Sequence, residues 1–241
     1  VMQGEFGHPS AFRLSDAEET DMMSHMYGII GSPLEPLLAA KGYKQHSRCL
    51  LLGFCDGEDG LQKNIMRNVR KIARKYHGLS LTGYVTTAWE HGRFSDPYMR
   101  DTIQDYGIII DTLECAVNWD NMPKVHDEVR EVVKAWPNAI CTCHISHSYP
   151  NGANLYFIFI IKTTDLDAFR KYHSSILEAI MKSGAALSHH HGIGKLFAPY
   201  LEGSVGTAQL NVFKALKKYF DPNNTLNPGG TLALDEHPSN F

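Results

Sequence analysis

The sequence predicts an α+β fold: an antiparallel sheet covered by helices, ferredoxin-like in plan, with duplicated elements. Strand-like apolar runs alternate with amphipathic helical stretches through most of the chain. Two of those runs are joined by Tyr149-Pro150-Asn151-Gly152, a tight turn of the kind that links antiparallel neighbours. The balance of 43% hydrophobic to 20% charged residues is that of an ordinary core-forming protein, and 241 residues suffice for one large domain or two small ones.

In chain order, residues 1–46 hold a short strand near Ala11–Leu14, a polar helix after Asp16 and a proline-bounded helix through Leu34–Lys41. Residues 47–183 are more regular. Cys49–Phe54 is an apolar run ended by Asp56-Gly57, a buried strand and its turn. Leu61, Ile65, Val69, Ile72 and Tyr76 then recur at helical spacing, with Lys63, Arg67, Arg70 and Arg74 on other faces. No aromatic residues interleave with that charge, so it reads as a solvated face and not a nucleic-acid patch. Leu81–Trp89 reads as a strand, and Pro97–Tyr106 as a short helix with proline in its first turn. Ile108–Val117 is a strand, and the helix after Asp120 has Met122, Val125, Val129, Val132 and Trp136 on one face. Strands Ile140–Ser148 and Asn154–Ile161 flank the tight turn. The helix Thr164–Lys182 opens on a capping box of Thr164 and Asp167, and buries Leu166, Phe169, Ile176 and Ile180. Residues 184–241 break the rhythm with a glycine-rich polar stretch over 184–204. A helix carrying Leu210, Phe213, Leu216 and Phe220 follows, then a turn-rich segment and a tail, Asp235–Phe241, expected to fray.

Bulk properties exclude several classes. Net charge is −3 and the pI about 6.5, so no global field points to nucleic acid or an anionic membrane. No apolar run approaches the ~20 residues that span a bilayer. The start, Val1-Met2-Gln3-Gly4-Glu5-Phe6, has no basic region followed by an apolar one, so it is no signal peptide and suits an excised domain. The cysteines, Cys49, Cys55, Cys115, Cys141 and Cys143, are odd in number with no Cys-x-x-Cys pair; they read as buried reduced thiols of a cytoplasmic protein.

The strongest chemical signal is Ser188-His189-His190-His191-Gly192-Ile193-Gly194-Lys195. Three adjacent imidazoles cannot all point one way on a helix or a strand, and no acid lies nearby in sequence. A metal site is therefore not expected. Imidazoles beside glycines in a loop suit proton transfer and ligand hydrogen bonding.

That octapeptide resembles the Ser-His-His-His-Gly motif of the alkyldihydroxyacetonephosphate synthases, and Tyr219–Gly229 resembles the shared ending of FAD-linked oxidases of the vanillyl-alcohol-oxidase class. Pro97-Tyr98-Met99-Arg100-Asp101, Gly152-Ala153-Asn154-Leu155-Tyr156-Phe157 and Arg13-Leu14-Ser15-Asp16 agree with the same family in order and spacing. The resemblance covers essentially the whole chain and implies a ferredoxin-like cap domain over a flavin. It divides the chain into the N-terminal part of the cap (1–46), the substrate-binding sheet and helices (47–183), and the histidine-rich loop with its helix and tail (184–241).

By resemblance, Tyr156 exchanges a proton with the substrate carbon, and His190 and His191 are active-site histidines. Arg100 holds an anionic group of the substrate, with Arg13 nearby, and Thr112 stands where the family has a serine. His189 and Asn227 are placed toward the cofactor. The implied cofactor is FAD, bound mainly by a domain absent from this chain, since no glycine-rich phosphate-binding segment precedes the cap. The implied reaction exchanges an acyl group for a fatty alcohol on dihydroxyacetone phosphate, as in ether-lipid synthesis. The expected partners are a phosphate- or acyl-bearing small molecule and the FAD-binding domain of the same polypeptide. The resemblance leaves a membrane surface open to the full-length enzyme and points to a homodimer. Two other readings stand beside it: the cap of an FAD-dependent 2-hydroxyacid dehydrogenase, and a stand-alone small-molecule binding module. A metal enzyme using His144, His147 and the triplet lacks an acidic ligand on this view.

Overall fold

A five-stranded antiparallel sheet, in the order β2 (Leu50–Phe54), β1 (Ala11–Ser15), β4 (Ile140–Ile145), β5 (Gly152–Lys162) and β3 (Ile108–Asn118), organises the molecule. The computed structural model describes residues 1–92, 94 and 96–230, so the tail expected to fray lies outside the described residues. Among the described residues the helices are α1 (Ala17–Met26), α2 (Leu34–Ala40), α3 (Asp59–Lys75), α4 (Tyr84–Gly92), α5 (Asp96–Gln104), α6 (Met122–Lys134), α7 (Leu166–Lys182), α8 (Gly194–Val205) and α9 (Thr207–Phe220).

The unit β3-α6-β4-β5-α7 carries the ferredoxin-like plan, with β5 inserted between β3 and β4. Where that plan calls for a fourth strand on the outer edge of β3, the chain makes one antiparallel bridge, Ala116 to Ala186, and then runs into the histidine loop. The segments 1–46 and 47–183 share this one sheet, because β1 of the first pairs with β2 and β4 of the second.

Alternation decides which side chains meet. Leu113, Cys115, Cys143, Leu155, Phe157 and Phe159 line one sheet face, against Val125, Val129 and Val133 of α6 and Ile176, Leu177 and Ile180 of α7. Burying each large side chain stabilises by roughly 1.5–3 kcal/mol. Cys115 and Cys141 sit in this core with thiols pushed up to about 12 by burial. Cys49 is exposed and Cys55 half-buried, so the expectation of five buried thiols holds for three of them.

The other face carries the row Glu114 (β3), Tyr156 (β5), His144 (β4), Ser15 (β1) and Leu50 (β2). Strands β1 and β4 pair only at Leu14–Ile145 and Ser15–His144 before α1 fills the gap. Side chains then satisfy the edge of β4. The N–H of Cys141 donates to Glu18 Oε1 (3.3 Å), and its carbonyl accepts from Arg130 Nη1 (2.7 Å). The register of β5 against β3 requires glycine at Gly152, where a Cβ would lie 2.2 Å from the Val117 carbonyl oxygen.

Three elements differ from expectation. Leu81–Trp89 holds the start of helix α4 and no strand. Its β-branched residues mimic a strand, but Leu81, Val85 and Trp89 also recur every four residues, and α4 packs against β2 without joining the sheet. The helix α7 is capped by Asp165, whose Oδ1 accepts from the N–H groups of Asp167 and Ala168 (both 3.0 Å); Thr164 is not the cap. The irregular stretch ends early, at Gly194, where α8 begins.

Candidate active site

Tyr156 projects from the middle of β5 on the sheet face away from the main core, and it is half-buried. Its ring stacks on His144, with centroids 4.7 Å apart and planes 18° apart, and meets His191 edge-on at 5.3 Å and 88°. His190 in turn lies 4.9 Å from His191 between ring centroids. The fold thus brings the tyrosine and the histidine loop together from opposite ends of α7.

Glu114 holds the loop there. It is 1% exposed and pairs with Tyr156 across the strands. Its Oε1 accepts from the backbone N–H groups of His190 and of His191, the latter at 2.9 Å, across 76 and 77 residues of sequence. Its Oε2 lies 2.7 Å from His190 Nδ1 and accepts from Asn154 Nδ2 at 3.3 Å. Burial pulls the Glu114 carboxyl up, but the His190 N–H, the His191 charge, the His191 N–H and Asn154 outweigh it, and the carboxyl stays below its ordinary range. Asn154, itself fully buried, also accepts from the N–H groups of Ser146 (3.2 Å) and His147 (2.8 Å), which sets the β4–β5 hairpin beside Glu114.

A hydrogen-bonded chain continues outward. His189 Nδ1 lies 3.0 Å from His190 Nδ1, and its Nε2 lies 2.8 Å from the Tyr149 hydroxyl. His147 packs on both rings, 5.1 Å from His189 and 4.8 Å from His190 between centroids. Burial, then the neighbouring imidazoles, lower the pKa of His147. His190 faces Glu114 through Nδ1 on a side chain 47% exposed. A phenol, two imidazoles and a buried carboxylate in this arrangement can accept, hold and return a proton.

The other expected site residues make contacts of their own. Arg100 is 52% exposed on α5 and pairs with Asp101 (3.4 Å). Arg13 is bound to Glu19 (2.6 Å) and lies over the Trp89 ring at 5.9 Å. Thr112 is half-buried two residues along β3 from Glu114, on the same face as Tyr156. Asn227 is exposed in the turn after α9, in left-handed backbone at φ 49°. Glu114, Glu19 and Asn154 were missed by sequence reasoning. The available signal was an acid at position 114 flanked by Leu113 and Cys115 in a mainly apolar strand, where a buried charge has to be paired.

The absence of an acidic neighbour to the triplet, on which the expectation of no metal rested, does not survive folding. Ligand atoms of Glu114, His190 and His191 lie within 4.8 Å of one another, as do those of His147, His189 and His190.

Residues 2–231 match the family described as FAD linked oxidases, C-terminal domain. The chain belongs to this family. This FAD-linked oxidase C-terminal domain is 29% identical over 241 residues to the alkyldihydroxyacetonephosphate synthase of Dictyostelium discoideum, covering 91% of this chain and 39% of the relative. It is 35% identical over 108 residues to the glycolate oxidase subunit GlcD of Bacillus subtilis, covering 44% of this chain and 23% of that protein. A solved structure of an alkyldihydroxyacetonephosphate synthase shares the fold, with a TM-score of 0.63 and 24% identity over 91% of this chain and 38% of that one. The chain thus spans about two fifths of the length of the synthase it matches.

The family is FAD-linked, and the residues present fit one part of that cofactor. Exposed imidazoles beside a half-buried phenol suit the hydrogen-bonding edge of a flavin ring. Among the described residues, no strand leads into a glycine cluster whose amides could hold the pyrophosphate.

Proposed function

We propose that this chain is the substrate-facing domain of an FAD-dependent enzyme that exchanges an acyl group for a fatty alcohol on dihydroxyacetone phosphate or a close analogue. The observation that carries the reading is the contact of Tyr156 with His191, backed by the grip of Glu114 on the loop. Tyr156 takes the proton from the substrate carbon and returns it. His191 and His190 flank the phenol and orient the substrate. The flavin, when bound, would supply an electrophilic centre for the substrate carbon; His189 and Asn227 would face it, and an FAD-binding domain of the same polypeptide would make the rest of its contacts. Both Glu114 oxygens accept from N–H donors, so the reading assigns that carboxylate to holding the loop.

An apolar substrate tail would fit a cavity at the other end of the Tyr156 row. A cavity of about 330 Å³, lined by Met23, Leu38, Leu50, Leu52, Val69 and Leu81 among others, starts where Leu50 continues the Tyr156 row. That volume lies at the small end of ligand sites. The test is to supply the FAD-loaded enzyme with acyl dihydroxyacetone phosphate and isotopically labelled fatty alcohol. Label should enter the phosphate-bearing product, and Tyr156→Phe should reduce the rate by about 10²-fold or more. A second reading, a 2-hydroxyacid dehydrogenase, is favoured by the match to GlcD. It predicts reduction of an electron-accepting dye by a 2-hydroxyacid and no incorporation of label.

A further inference from the structure

The row through Tyr156 ends at a second buried carboxylate. Glu19 of α1 is 0% exposed, and its Oε1 receives both His144 Nδ1 (2.9 Å) and Arg13 Nη2 (2.6 Å). Its Oε2 and the Arg13 Nε are buried without a hydrogen-bond partner. A charge held so deep is costly unless its partners are fixed, so the set persists only with Arg13 and His144 in place. His144, 6% exposed, is clamped between this carboxylate and the face of the Tyr156 ring.

We propose that Glu19 and His144 are a positioning couple for Tyr156: Glu19 fixes the plane and tautomer of His144, and His144 fixes the plane of the phenol. The inference rests on the reading of Tyr156 as the group that moves a proton. A carboxylate at Nδ1 selects the Nδ1–H tautomer of neutral imidazole and stops the ring turning. A ring stacked at 18° on that imidazole then loses its own freedom to tilt. The charged and titratable groups facing His144 are Glu19 of α1, Asp16 at the N-cap of that helix, Arg13 of β1 and Tyr156 of β5, with His147 farther along the hairpin. Burial holds His144 below the ordinary histidine range, with the Glu19 hydrogen bond and charge working against that. At pH 7 the imidazole is therefore neutral, and the couple acts through orientation.

Two measurements separate this from general stability. Imidazole nitrogen spectra of the folded chain should show His144 as one tautomer, Nδ1–H. In Glu19→Gln its titration should move down by about one pH unit and both tautomers should appear. In the FAD-loaded enzyme, Glu19→Gln should lower kcat about tenfold with KM within twofold, and Glu19→Asp should recover part of that loss. If Glu19→Gln leaves the tautomer and kcat as in the parent while Tyr156→Phe is inactive, the couple is wrong and the role of Tyr156 stands. If Tyr156→Phe itself keeps parental activity, the role of Tyr156 fails, and this inference fails with it.

Discussion

Glu114 is a single side chain that fixes a loop seventy-odd residues away, and its loss has a defined cost. Replacing it with alanine leaves the part-buried His190 and His191 amides without their acceptor. Each orphaned donor costs about 1–3 kcal/mol. Glu114→Ala should therefore unfold at lower denaturant, and those two amides should exchange hydrogen faster. The pH dependence has a definite sign. A carboxyl held below its unfolded value stabilises the fold at neutral pH, and that share is lost as pH falls from the ordinary glutamate range toward the depressed folded value. His144 acts in the same direction at higher pH. Its folded pKa is below the ordinary one, so its share is present above about pH 6.5 and is lost as pH falls through the window below that. Stability should fall from pH 7 to pH 3, and Glu114→Gln should make the acid limb shallower, Glu18, Glu19 and Asp221 supplying the rest of it. The sequence names Tyr156 only through its resemblance to a family, whereas the triplet with His190 and His191 stands out by its own composition. It does not name Glu114 or Glu19, because cross-strand register and the return of α7 are tertiary facts that no local spacing encodes.

At the scale of elements, periodicity located most of the strands and helices, and it failed where two periods coincide. The run Leu81–Trp89 satisfies both a strand and a helix, and its place over the apolar cavity, outside the sheet, selected the helix. The cap of α7 shows a finer limit. Thr164 and Asp167 have capping-box spacing, but Asp165 is one residue closer to the helix and receives two N–H groups. Asp165→Ala should destabilise the fold by about 1 kcal/mol, whereas Thr164→Ala should leave the unfolding midpoint nearly unchanged. A larger loss at Thr164 would contradict the observed cap. The turn after β4 was legible because Pro150, Asn151 and Gly152 each carry a turn preference, and the close approach of Gly152 to Val117 adds a reason that the sequence alone does not supply.

For the molecule as a whole, the sheet has one face filled by α6 and α7 and another that carries polar chemistry in one row. The flavin class was legible from the endings of the chain, and the family match shows it. The chain alone should retain no flavin after gel filtration, read as absence of the flavin absorption band, because its described residues offer no phosphate cradle. Retained colour at one equivalent would mean that the imidazoles and phenol hold more of the cofactor than their edge-on arrangement suggests.

Isotope exchange at the substrate carbon reads proton movement by Tyr156 without waiting for product. The FAD-loaded enzyme, given acyl dihydroxyacetone phosphate deuterated at the reacting carbon, should release deuterium to water. Tyr156→Phe should slow that release by about 10²-fold or more while substrate still binds. Release at the parental rate in Tyr156→Phe would mean that another group moves the proton.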